Sequence, residues 1–208
     1  MNVPSLEEAE AFLADAQARN PGPWVQHSRN VGRAAEAVAA HCAGLEPRTA
    51  LVLGYLHDIG RREGVTANRH MLDGYTFLAA RGFEDAAQVY LTHSFPIPDD
   101  RRLGTAVGVW DCSEEERAFA RRYLEDVTYT DYDRLLQLCD CLALPSGCCT
   151  LEKRFVDVTL RYGFNAFTLP RWRAYLDLQA HFEGKTGRPL YSVLPGIVET
   201  TLGLAGTS

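Results

Sequence analysis

The 208 residues are enough for one substantial core, and a hydrophobic content of 46% suits a chain that buries one. A formal charge of -6 excludes the usual non-specific nucleic-acid binder, which neutralises phosphates with an excess of Lys and Arg. No apolar stretch approaches the roughly 20 residues that span a bilayer, and residues 1–10 are acidic rather than basic and then apolar, so a soluble, cytoplasmic protein without membrane partners is expected.

Helical signals run through most of the chain. Ser5 and Glu8 have the spacing of a capping box, and a helix follows over 6–19 until Asn20-Pro21-Gly22-Pro23 breaks it. An alanine-rich helix is predicted over 24–42, stopped by Gly44. Pro47 suits the first position of a third helix that ends near Asp58, with Gly60 just beyond. Helices over 70–80 and 85–92 are split at Gly82. From Phe95 to Cys112 the pattern is irregular and rich in Pro and Gly, as in a lid or substrate loop. Ser113 caps a helix to about Asp126, and Thr130 or Asp131 starts one that carries Asp140 and stops at Pro145-Ser146-Gly147. Helices over 151–162, 171–182 and 190–202, the last interrupted by Pro195-Gly196, complete the chain. With no β-hairpin signal and no repeat, the predicted class is all-α: one domain, 1–208, with a core over about 24–143 and additional C-terminal helices over about 150–204.

The six cysteines, at 42, 112, 139, 141, 148 and 149, lack the spacing of a zinc knuckle and are expected as reduced, mostly buried thiols.

The residues that carry chemistry begin with His57-Asp58, which closes the apolar run Leu51-Val52-Leu53-Gly54-Tyr55-Leu56. An ionisable pair at the end of a buried segment is costly unless both side chains are satisfied, and a divalent metal satisfies them well. His27, His70, His93 and Asp140 offer further ligands, each on a predicted helix or at its end. Imidazole with carboxylate suits Mn, Fe, Co, Ni or Zn, and six candidates exceed one tetrahedral site, so two ions are expected. Asp58, next to His57 and able to face a second ion, is the expected bridge. His41 lies about 21 Å along the helix axis from His27 and is set aside, as is His181, which has no partner at a metal-binding offset. Asn30, Asp73, Thr92 and Ser94 are candidates to orient the ligands. Arg61, Arg62 and Arg69 are candidates for a substrate phosphate, whose geometry an arginine fork matches.

His27, His57-Asp58 and Asp140 resemble the H…HD…D signature of the HD superfamily of metal-dependent phosphohydrolases, over about Trp24 to Ala143, with His57-Asp58-Ile59-Gly60-Arg61 the strongest segment. His70 and His93 resemble the additional histidines of its two-metal branch, to which small bacterial symmetrical diadenosine-tetraphosphate hydrolases are similar in ligand order and size. The resemblance implies that His27, His57, Asp58 and Asp140 hold one ion and Asp58, His70 and His93 the other, both divalent transition metals with iron foremost. It implies an in-line attack on phosphorus by a metal-bridged hydroxide, in which Asp58 and Arg61 take part, on a phosphoester or phosphoanhydride of a nucleotide or similar small phosphate. His70-Met71-Leu72-Asp73-Gly74-Tyr75 also resembles the cyclic-dinucleotide phosphodiesterase branch, without its doubled histidine or its later Gly-Tyr-Pro. HD-fold di-iron oxygenases share the ligand order, and a non-catalytic nucleotide-binding HD protein is the third alternative.

Overall fold

The structure, a computed structural model, describes residues 1–97 and 111–204. Its class is all-α, as the sequence predicts. Local chemistry starts several of the helices. At α1 (Leu6–Arg19) the Ser5 hydroxyl accepts the Glu8 amide at 3.2 Å while the Glu8 carboxylate accepts the Ser5 amide at 2.8 Å, so two otherwise orphaned donors are satisfied reciprocally. Ser113 and Thr130 do the same for α6 (Glu114–Asp126) and α7 (Asp131–Cys141).

The central element is α3 (Pro47–Leu56). Pro47 occupies its first turn, the Glu46 carboxylate accepts the Arg48 and Thr49 amides, and every residue from Ala50 to Leu56 is buried. Around it stand α1, α2 (Trp24–Ala39), α5 (Glu84–Thr92) and α7. The α2–α3 crossing is very close: a Cβ on Gly54 would lie 2.3 Å from the Gly32 Cα. After α3 the chain tightens into a 3-10 turn (Ile59–Glu63) that abuts α4 (Arg69–Ala79), where a Cβ on Gly60 would lie 1.8 Å from the His70 carbonyl. These two backbone contacts, open only to glycine, bring the histidine-bearing segments together.

A smaller core of Met71, Leu72, Leu91, Phe95, Ala120 and Leu124 joins α4, α5 and α6. The C-terminal part consists of α8 (Leu151–Tyr162), α9 (Thr168–Thr186), a 3-10 turn (Leu190–Ser192) and α10 (Ile197–Leu202). Its Phe155, Phe182, Leu190 and Ile197 enter the same main core as Leu13 and Leu53. No helix among the described residues is long and apolar enough to cross a membrane. All six cysteines are free thiols, and five of them are buried.

Three local expectations change. The second helix ends at Ala39 rather than 42, its place taken by a turn before Gly44. Pro145-Ser146-Gly147 stops a helix but also folds a small antiparallel hairpin, β1 (Ala143–Leu144) with β2 (Gly147–Cys148), pairing Ala143 with Cys148 and Leu144 with Gly147. Gly147, at φ 139°, makes the turn possible. The helix expected over 171–182 starts earlier, at Thr168, because Pro170 falls in the first turn, where its missing N–H costs no helical bond. The segment expected as a lid or substrate loop lies, over residues 98–110, outside the described residues.

Candidate metal centre

All six predicted ligands meet at one end of α3. His27 comes from the first turn of α2, His57-Asp58 from the end of α3, His70 from the start of α4, His93 from the end of α5 and Asp140 from the last turn of α7. His27 Nε2 lies 2.8 Å from Asp140 Oδ1, and His57 Nε2 lies 3.8 Å from both Asp140 Oδ1 and Asp58 Oδ2. His70 Nε2 is 3.2 Å from Asp58 Oδ1. The His93 ring centre is 5.2 Å from that of His57 and 6.0 Å from that of His70. Two groups of donor atoms are close enough to share an ion: His27, His57 and Asp140, and His57, Asp58 and His93. His57 belongs to both groups, but with Nδ1 on a carbonyl it offers one Nε2 lone pair and can serve a single ion.

Three of the rings are oriented alike. His57 Nδ1 faces the Gly54 carbonyl at 2.8 Å, His70 Nδ1 the Ala67 carbonyl at 2.5 Å and His93 Nδ1 the Tyr90 carbonyl at 2.7 Å, in each case three residues back. A carbonyl only accepts, so each Nδ1 carries the hydrogen, and whenever the ring is neutral its Nε2 lone pair faces the cluster. A lone pair facing the Asp58 carboxylate at 3.2 Å, as in His70, repels it unless a cation or proton lies between. The buried His57 Nε2, set between two carboxylates, has no hydrogen-bond partner. An orphaned donor atom of this kind, in a mixed imidazole–carboxylate set, fits a divalent transition metal.

The electrostatics agree. Burial pushes His93 down to about 4 and lowers His57, so both rings are neutral and ligand-competent near pH 7. Burial raises Asp58, but the Arg61 guanidinium outweighs it and holds the carboxyl well below its usual range. For Asp140, burial is likewise overcome, first by the hydrogen bond from His27, with the charge of Arg154 adding to it, so its carboxyl is held below its usual range.

The three arginines part company. Arg61 stays at the cluster: its Nε donates to Asp58 Oδ2 at 2.7 Å and its Nη2 stands 3.5 Å from His70 Nε2. Arg62 turns the other way, donating to Asp15 of α1 with its guanidinium 4.3 Å from the centre of the Phe77 ring. Arg69 reaches Glu116 of α6 at 3.1 Å and Asp73 at 3.4 Å. Arg62 and Arg69, expected as phosphate-facing groups, here hold neighbouring helices through acidic partners from α1 and α6. The orienting side chains also differ. Asn30 donates to the Leu144 and Pro145 carbonyls and secures the hairpin, Thr92 donates to Asp133, and backbone carbonyls take the role foreseen for side chains. His181 pairs with Asp131 on α7, and His41 is exposed. Arg154 of α8, within electrostatic reach of Asp140, escapes a reading of the motif because it follows the last ligand and sits in a helix with no signature of its own.

The HD domain family matches residues 24–144, and the chain belongs to that family. Its members are mostly metal-dependent hydrolases that bind divalent metals, in keeping with the clustered histidines and aspartates here. No curated protein and no solved structure shows significant similarity to the chain.

Proposed function

We propose that this protein is a phosphohydrolase that holds two divalent transition-metal ions and cleaves a phosphoester or phosphoanhydride of a nucleotide or similar small phosphate. The observation that carries the reading is the buried, unpartnered His57 Nε2 between two carboxylates, with donor groups on both sides of it and Arg61 at their edge. His27, His57, Asp58 and Asp140 would hold one ion, and Asp58, His70 and His93 the other, the two oxygens of the Asp58 carboxylate letting it serve both. When bound, such ions polarise phosphoryl oxygens and make water acidic enough to act as a nucleophile near neutral pH.

The chain's own residues do the rest. Nδ1 bonds to three carbonyls keep the imidazoles in one tautomer and aim. Asp58, ionised and pinned by Arg61, contributes the negative charge that retains cations. Arg61 spends Nε on Asp58 and keeps Nη1 for a phosphate oxygen, which favours phosphate over oxygen chemistry.

The test is a panel of mononucleotides, dinucleoside polyphosphates including diadenosine tetraphosphate, and simple phosphate esters, assayed with protein loaded with Fe, Mn or Co. Phosphate or nucleotide release that disappears together with the metal in Asp58→Ala is expected. Oxygen uptake with a mixed-valent iron signal and no phosphate release would instead identify an oxygenase, and binding without turnover at every metal a sensor.

A further inference from the structure

The C-terminal helices lie beyond the HD match, which ends at residue 144, yet one of their residues stands beside the centre. The hairpin turns the chain back on itself: the Cys149 amide donates to the Leu142 carbonyl at 2.9 Å, so the segment that leads into α8 returns to the end of α7, two residues beyond Asp140. The first turn of α8 is firmly held. Thr150 caps it, the Leu151 amide donates to the Tyr191 hydroxyl at 3.1 Å, Lys153 Nζ donates to the Thr201 carbonyl at 2.9 Å, and Phe155 stacks on Trp172 at 5.0 Å. Arg154, in the middle of this anchored turn, has its side chain only 16% exposed, with Asp140 and Cys141 within electrostatic reach of the guanidinium.

Arg154 is held in place from one side only. Its Nη1 donates to Asp157 Oδ2 at 2.9 Å, and the same oxygen accepts Arg161 Nη2 at 2.7 Å. Nε and Nη2 of Arg154 make no hydrogen bond among the described residues, and neither is a fully buried orphan. They therefore open onto accessible space. Residues 154, 158 and 161 or 162 share one face of α8, and at its far end Tyr162 comes within electrostatic reach of Arg61. One face of α8 thus carries Arg154 within reach of Asp140 and Tyr162 within reach of Arg61. Arg61 likewise keeps Nη1 unspent.

Resting on the phosphohydrolase reading, we propose that Arg154 is a substrate-binding residue supplied by the C-terminal region, whose free Nε and Nη2 join Arg61 in holding a phosphate group of the substrate. A guanidinium fork anchored by a carboxylate on its third nitrogen is pre-organised for the two oxygens of a phosphate.

Calorimetric titration of the Mn-loaded protein with inorganic phosphate tests this without relying on turnover. Arg154→Gln is expected to weaken phosphate binding about tenfold or more, as loss of a charge-assisted hydrogen bond does, with metal content and melting temperature near those of the wild type. Arg154→Lys, which keeps the charge and loses the fork, is expected to fall between the two. With any phosphate substrate the panel reveals, the same variants should raise KM more than they lower kcat. Unchanged phosphate affinity in both variants, or a loss of bound metal that accounts for the weaker binding, would overturn the proposal, as would absence of phosphate binding by the wild type. Phosphate binding that depends on Arg154 in a protein that hydrolyses nothing would leave this inference standing and sink the hydrolase reading.

Discussion

Gly54→Ala sets helix propensity against packing. In an isolated helix the change is favourable by about 1 kcal/mol. Here the new Cβ would lie 2.3 Å from the Gly32 Cα, 2.5 Å from the Gly32 amide nitrogen and 2.9 Å from the Val31 carbonyl carbon, where ordinary contact begins at 3.4 Å. All three are backbone atoms, so no rotamer change relieves the clash, and α2 and α3 must part by about 1 Å, the shortfall at the closest of these contacts. Overpacking of this kind costs about 1–3 kcal/mol, and a backbone-to-backbone clash belongs at the upper end. After the propensity gain, a net loss of about 2 kcal/mol remains, which for a chain of this length lowers the melting temperature by about 4–8 °C. The parting also separates His27, on α2, from His57, whose Nδ1 bonds to the Gly54 carbonyl, so metal affinity should fall as well. Gly184→Ala is the control: Gly184 is exposed on α9 with open space around its Cβ, and the same substitution should raise the melting temperature by about 2–4 °C. Scanning calorimetry of both variants, with and without metal, reads the result. A Gly54→Ala protein as stable as the wild type, or more so, would refute the close crossing as the device that assembles the centre.

Acid should unfold the metal-free protein in a defined window. His57 and His93 are lowered by burial, His93 to about 4, so between pH 6.5 and about 4 the unfolded chain takes up protons that the folded chain refuses. The stability of the chelated protein is therefore complete above pH 6.5 and declines steadily toward pH 4, less so in His93→Gln; a melting temperature flat from pH 7 to 5 would contradict this. Asp58 and Asp140, both lowered, add nothing in that window, because their contribution is lost only below the ordinary carboxylate value of 3.8. The two neighbouring arginines should separate cleanly. Arg61→Ala is expected to reduce kcat/KM about tenfold or more, whereas Arg62→Ala should leave it near the wild-type value and cost about 1 kcal/mol of stability through the lost Asp15 and Phe77 contacts. Steady-state kinetics and denaturant melts on the pair decide it, and a larger activity loss in Arg62→Ala would reverse the assignment.

What could be read from the amino-acid order was whatever depends on near neighbours. The caps at Ser5 and Ser113 formed as predicted, and Thr130 of the two residues expected to start α7 became its cap, because cap and acceptor are three residues apart and need no help from the rest of the molecule. The His57-Asp58 pair announced a buried ionic centre because an apolar run leads straight into it. Pro145-Ser146-Gly147, by contrast, carries the same stop signal whether the chain then wanders or folds back, and it is Asn30, 114 residues away from Leu144, that secures the hairpin.

Residue order alone determined the all-α class, most helix starts and the chemical types gathered for the centre, since these follow from backbone and side-chain properties within a turn or two. Only the tertiary structure decided that His57 stands between both donor groups, that Arg61 stays while Arg62 and Arg69 are drawn away, and that Arg154 arrives from beyond the last ligand. The direction of a long charged side chain is set by which opposite charge the packing of distant helices brings within reach, a quantity that no stretch of neighbouring residues contains.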